Sequence, residues 1–457
     1  MTIFKRLDFW LGAGFILVFG FILPFVPIVD GDTFYYLGKA RRILETGDLF
    51  NSNILTTKPV LGMWAMALSL KIRGWNLGGV YLWHTLCGAG VVGLLYAFAK
   101  KHFDPKTALY SAAVLLTALM FFYQVSSPML DIPMLFFLLL GQILALEYLL
   151  TDKPGYLYGL GAAAGLGFLT KGLLPAALPF LTGGLYLLLA KWGRHNSPVL
   201  TRPAGQIPRL ILTGLLFITI CSSWLIPQWQ IHGPEFGQAL YRENIERFFH
   251  PIDETGGYRE VSSGTQFDPQ LNLLYLWLGF LPWSPLIIPA VHAAGKNNYF
   301  QKKPEIFFLL CWFGLVLLLT SLSGHYKGPR YLLPLFPPLS MLCGVLLARG
   351  KALAYPRLIP WSFRITGLVL LFLLGALPFI RYTHGEAVYL PVVLPFLFCF
   401  TVCLLGSCRS FRQNGRPDFT IYTVLVSYVV LFTCAAVFLP GVQFPEKYVN
   451  PQQRILR

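Results

Sequence analysis

Charge is scarce in this sequence. Asp, Glu, Lys and Arg make up 12% of its 457 residues, against roughly 25% in a soluble domain, which excludes a water-soluble enzyme. Acids are the scarcer sign, with 20 Asp and Glu against 36 Lys and Arg. The eight cysteines lie in or beside apolar runs without a C-x-x-C spacing, so neither a disulfide framework nor a zinc site is indicated. There is no internal repeat of about 20 to 50 residues and no low-complexity tract. The first apolar run lacks a small-residue cleavage site after it and reads as a retained helix.

Apolar sequence is what the chain has in abundance, at 55% of all residues. Thirteen segments are long enough to cross a hydrocarbon core, which takes about 20 residues each: 9–29, 78–98, 108–124, 132–150, 156–170, 173–190, 209–229, 270–292, 305–323, 331–348, 363–380, 388–407 and 419–439. The expected fold is an all-α integral membrane protein with about 13 transmembrane helices. Residues 1–440 would form one membrane domain that includes two long loops, 30–77 and 230–268. Residues 441–457 would be a short tail with no separate soluble domain.

The net charge of +16 could point to nucleic acid, but its distribution points to the bilayer instead. With the N-terminus inside, the inner loops hold 20 of the 36 basic residues and six of the 20 acidic ones, which leaves +14 there against +2 opposite. The positive-inside rule then gives a cytoplasmic N-terminus and, after thirteen spans, an outer C-terminus. Both long loops face outward and hold 11 of the 14 outer acids, so chemistry is expected outside the cytoplasm. In the first loop, Phe34, Leu37, Arg41 and Leu44 give a helical face after Asp32, with Gly47 as a stop. A second helix is expected from near Pro59 through Trp64 to Arg73. Such helices suit the membrane interface.

Charged groups flanked by apolar sequence cost at least about 2.5 kcal/mol each on insertion scales and call for a reason. Four places qualify: Asp30 and Asp32 after the first span, Asp131 in SSPMLDIPMLFF, Lys171 in GFLTKGLLP, and Lys327 with Arg330 in GHYKGPRYLLPLFPP. All four fall on the outer face. A carboxylate that takes a proton and cations that hold an anion divide the labour of an inverting sugar transfer from a lipid phosphate. The plainer readings are that Asp32 and Asp131 cap helices and that Lys171, Lys327 and Arg330 snorkel at helix ends.

The segment DTFYYLGKARRILETGDLF, followed by TKPVLGMW, resembles the first outer loop of the GT-C glycosyltransferases of family 39 type, the bacterial aminoarabinose transferases and protein O-mannosyltransferases. Asp32, Tyr36, Gly47, Asp48, Lys58 and Pro59 fill that pattern, whereas Asp30 lacks its spacing to Gly47 and Asp48. MLDIPMLFF, GFLTKG, NIERF and KGPRYLLPLFPPL continue it in order. The resemblance implies a GT-C fold and a polyprenyl-phosphate-linked sugar as donor. It implies Asp32 as catalytic carboxylate and Asp131 as second acid. Lys58, Arg247, Lys327 and Tyr331 would bind the donor phosphate, with Tyr36 and Lys171 lining the cavity; Asp30, ranked second to Asp32, is expected in the cavity from its place in the sequence. Thr33 departs from the usual Glu. Thr57 and Asn244 stand where some relatives carry metal-holding Glu and His, so no metal is expected.

The expected protein is thus a bacterial inner-membrane glycosyltransferase that passes a hexosyl or pentosyl group to a glycolipid such as lipid A, or to a protein, on the outer face. The rival is a secondary transporter or lipid flippase. Transporters show paired repeats and midplane ionisable groups, whereas here the charged groups gather at one surface.

Overall fold

The computed structural model describes residues 31–349, apart from 54, 126, 194–198, 200–205, 247–268, 297–302 and 323–328. Within these residues the chain is helical, with no strand. The first span, the last three spans and the tail lie outside them, as do Asp30, Arg247 and Lys327. The first long loop folds into the two expected helices, α1 (Gly31–Thr46) and α2 (Leu61–Arg73). There follow α3 (Leu77–His102), α4 (Pro105–Thr117), α5 (Leu119–Val125), α6 (Asp131–Thr151), α7 (Pro154–Lys171), α8 (Leu173–Gly193) and α9 (Gln206–His232). Beyond them come α10 (Pro234–Tyr241), a π-turn (Arg242–Glu246), α11 (Pro269–Gly279), α12 (Ile287–Lys296), α13 (Pro304–Leu322), a 3-10 turn (Pro329–Leu335) and α14 (Phe336–Arg349).

Local sequence chemistry sets these boundaries. The Asn76 side chain accepts from Gly79 N at 2.9 Å to cap α3, and Asp104 accepts from Thr107 N at 2.9 Å to cap α4. Proline opens α4, α7 and α13, where a missing N–H costs nothing. Six of the described helical segments are long and apolar enough to cross a membrane: α3, α6, α8, α9, α13 and the continuous run Pro329–Arg349. The molecule is a multi-span membrane protein. Helix α7, expected as a span at 156–170, forms as a helix but is not one of the six.

Two expected spans are broken rather than straight. The segment expected at 108–124 bends by 67° between α4 and α5, with Ala118 in extended conformation. The bend is satisfied internally. Leu119 N donates to Leu281 O at 2.9 Å, and the buried Trp283 indole donates to Thr117 Oγ1 at 2.8 Å. Such breaks persist at membrane depth only where protein supplies the missing hydrogen bonds. The segment expected at 270–292 bends by 116° between residues 279 and 284. Sequence hydropathy registers total apolar length and is blind to such corners.

Helix α6 carries a charged layer at each end. Asp131 opens it, and Glu147 lies sixteen residues on, about 24 Å along the axis at 1.5 Å per residue. Glu147 Oε1 lies 2.6 Å from Lys101 Nζ and 2.7 Å from His102 Nε2, while His102 Nδ1 lies 3.2 Å from Glu305 Oε1. Between the layers the buried Gln142 amide is half satisfied: its Nε2 donates to Thr182 Oγ1 at 3.0 Å, while its Oε1 has no hydrogen-bond partner. Roughly a hydrocarbon thickness of apolar helix separates two polar ends.

Candidate active site

The Asp131 end of α6 gathers four of the charged residues singled out in the sequence, Asp32, Asp131, Lys171 and Arg330. Asp32 lies in the first turn of α1 rather than ahead of the helix as a cap. Its Oδ2 accepts from Arg330 Nη1 at 2.9 Å, across 298 positions of sequence. The Asp32 side chain is 48% exposed and that of Arg330 29%. Asp131 is the first residue of α6, its cap position being Leu130 without a side-chain bond. Its carboxylate is buried and paired with Lys171, the last residue of α7. Both acids therefore serve ion pairs where the plainer reading had them capping helices.

Tyr331 stands between the two pairs. Its ring centroid lies 5.6 Å from Lys171 Nζ and 5.8 Å from the Arg330 guanidinium carbon, within cation–π range. Tyr36 faces the same cluster from α1, one turn beyond Asp32. Burial first, then the carboxylates of Asp32 and Asp131, push its phenol far above its ordinary value. Tyr36 is therefore a neutral hydroxyl, available as a donor or acceptor of hydrogen bonds. Asp32, Tyr36, Asp131, Lys171, Arg330 and Tyr331 come together from α1, α6, α7 and the 3-10 turn.

A second ion pair flanks this cluster. Lys58 pairs with Glu243 in the π-turn at the start of the second long loop. The next residue, Asn244, places its Oδ1 only 3.0 Å from where a Cβ on Gly172 would lie. Gly172 follows Lys171 at φ +93°, a conformation that glycine adopts without strain. Both the space and the backbone therefore ask for glycine in the Thr-Lys-Gly turn, and the π-turn bridges Lys58 to the Lys171 side of the cluster. No group of three metal-ligating side chains occurs among the described residues.

Sequence reasoning missed two partners. In the sequence Arg330 reads only as a cation that holds an anion or snorkels, because a salt bridge over 298 positions leaves no local trace of Asp32 as its partner. Glu243 was counted only as one of the outer acids, and its flanking sequence carries no signal that Lys58 would meet it. Among the described residues, each cation of the site, Lys58, Lys171 and Arg330, sits against a carboxylate.

Comparison with known proteins shows what the chain is similar to. Residues 57–226 match the family described as dolichyl-phosphate-mannose-protein mannosyltransferase. A protein of Aquifex aeolicus is 28% identical over 67% of this chain and 57% of its own length. The undecaprenyl phosphate-α-4-amino-4-deoxy-L-arabinose arabinosyl transferase of Pseudomonas paraeruginosa is 30% identical over 68% of this chain and 54% of its own length. The chain thus matches little more than half the length of these relatives. A crystal structure of ArnT from Cupriavidus metallidurans bound to undecaprenyl phosphate superposes with a TM-score of 0.73 at 21% identity, over 94% of this chain and 77% of that one. The fold is that of this ArnT structure.

Proposed function

We propose that this protein, similar in sequence to the aminoarabinose transferases and in fold to ArnT, is an inverting glycosyltransferase that uses a polyprenyl-phosphate-linked sugar. The observation that carries the reading is the pairing of Asp32 with Arg330 and of Lys171 with Asp131 about Tyr331 at one end of the bundle. Asp32 is the more exposed of the two acids and acts as general base. It takes the proton of an acceptor hydroxyl as that oxygen bonds to the sugar's anomeric carbon. The bond from that carbon to the phosphate oxygen breaks, and the polyprenyl phosphate leaves. Lys58, Arg247, Lys327 and Tyr331 counter the charge that develops on it. Asp131, buried against Lys171, holds its helix and the acceptor side of the cavity, with Asp30 and Tyr36 as further lining.

The lipid donor enters from the bilayer, and the acceptor is a glycolipid or a protein on the outer side of a bacterial inner membrane. The basic end of the bundle, with Lys100, Lys101, Lys106 and Arg349, then faces the cytoplasm. Residues 1–440 form the catalytic unit and 441–457 a tail. Purified protein in lipid nanodiscs, given labelled polyprenyl-phosphate sugar and envelope acceptors, is expected to form labelled product that is lost in Asp32→Asn. Full transfer by that variant would overturn the site. Label crossing a vesicle membrane without forming a new glycosidic bond would make the protein a transporter or flippase.

A further inference from the structure

Asp32 as general base has a geometric difficulty. A carboxylate half exposed on the first turn of a helix has several staggered rotamers open to it. General-base catalysis needs it within hydrogen-bond reach of one hydroxyl, and a misplacement of about 1 Å can cost on the order of a hundredfold in rate. Something must hold it.

The geometry points to Arg330 as the positioning residue that fixes the Asp32 carboxylate for proton transfer, an inference that rests on the reading of Asp32 as the base. Arg330 projects from the 3-10 turn Pro329–Leu335, whose Leu332, Leu333, Pro334 and Leu335 are all buried. Its main chain is therefore anchored in the core. Its guanidinium is held on three sides: by Asp32 Oδ2 at 2.9 Å, by Met129 Sδ at 3.4 Å from the same Nη1, and by the Tyr331 ring at 5.8 Å. Arginine suits this post because its planar group stays charged and stacks on an aromatic face while it donates to a carboxylate.

The neighbouring pair repeats the scheme. Lys171 secures Asp131 from the Tyr331 ring's surroundings, but that acid is only 3% exposed and cannot readily meet an acceptor. Among the described residues, the charged and titratable groups around Asp32 are Tyr35 and Tyr36 on its own helix, Asp131 and its partner Lys171, and Arg330 with Tyr331. The two acids and two cations of this set sum to zero. The bond to Asp32 leaves Arg330 other N–H groups that can reach an anion, so the split of kcat from KM is what separates positioning from donor binding. Lys58, Arg247 and Lys327 fill the latter role in the proposed reaction, which leaves Arg330 to the base.

Full-length protein in nanodiscs, assayed with polyprenyl-phosphate sugar and envelope acceptors, tests this by separating kcat from KM. Arg330→Gln is expected to lower kcat by about 10- to 100-fold while KM for the lipid donor stays within about threefold of wild type. Arg330→Lys, which keeps the charge and a donor, is expected to recover most of that loss. In an Asp32→Asn background, Arg330→Gln should cost nothing further, because two residues that act as a unit are not additive. A raised KM with kcat intact would overturn the inference and make Arg330 a donor-binding residue. An unchanged kcat, or a Lys variant as poor as the Gln variant, would overturn it as well. Should Arg330→Gln fail to elute as folded protein, Arg330→Met, which keeps an unbranched stem and removes the charge, is read by the same split. Full transfer by Asp32→Asn would instead sink the general-base reading itself, whatever Arg330 does.

Discussion

Lys39 shows how single residues in this protein depart from simple packing. It lies on the inward side of α1 at 5% exposure, its Nζ has no hydrogen-bond partner, and the nearest compensation is the Tyr35 ring at 5.4 Å. Burial and then the nearby Arg42 hold its ammonium below the ordinary lysine range. A charged group buried without an acceptor is a liability. Lys39→Met, which keeps the length and removes the charge, should therefore stabilise the detergent-solubilised protein at neutral pH by on the order of 1 to 3 kcal/mol, seen as a higher melting temperature. The effect has a sign in pH. Because the folded state disfavours the protonated amine, the wild type should gain stability as pH rises toward the ordinary lysine range, and the gap to Lys39→Met should narrow. A lower melting temperature for the variant would mean that the ammonium holds something. The Lys171–Asp131 pair makes the opposite case. Lys171→Met strands a buried carboxylate and should cost about 3 to 5 kcal/mol, whereas Lys171→Met with Asp131→Leu should recover much of it. Melting curves of the two variants check this.

At the scale of elements, the helices of the first loop were legible because they are amphipathic and end at glycines. Helices α1 and α2 form where Leu37, Ile43 and Leu44 and the run through Trp64 and Met66 place them. The corners were not legible. The 67° bend between α4 and α5 depends on Leu281 and Trp283, which are remote in sequence, and hydropathy averaged along a segment holds no record of a remote donor. Close helix contacts are equally hidden until the backbone is seen. A Cβ on Gly344 in α14 would lie 2.7 Å from Ser111 N in α4, a backbone atom that cannot move aside alone. Gly344→Ala should therefore force α4 and α14 apart and cost about 1 to 3 kcal/mol. A lowered melting temperature with intact expression is the expected readout.

At the scale of the whole molecule, the described residues hold a charged layer at each end of α6, and the proposed reaction falls to the Asp131 end. The layer of Lys101, His102, Glu147 and Glu305 ties α3, α6 and α13 together. The layer of Asp32, Asp131, Lys171 and Arg330 joins α1, α6, α7 and the turn before α14 beside Tyr36 and Tyr331. The sequence announced most of this second layer because charge is costly in such surroundings and each group carried a motif around it. What it withheld was the pairing, since which acid meets which cation is decided by helix packing. Mass spectrometry of envelope lipids and glycoproteins tests the account most directly, in a strain lacking this gene and complemented with wild type or Asp32→Asn. The account predicts an acceptor heavier by one glycosyl unit with wild type, and absent both without the gene and with Asp32→Asn. The same product restored in full by Asp32→Asn would contradict it.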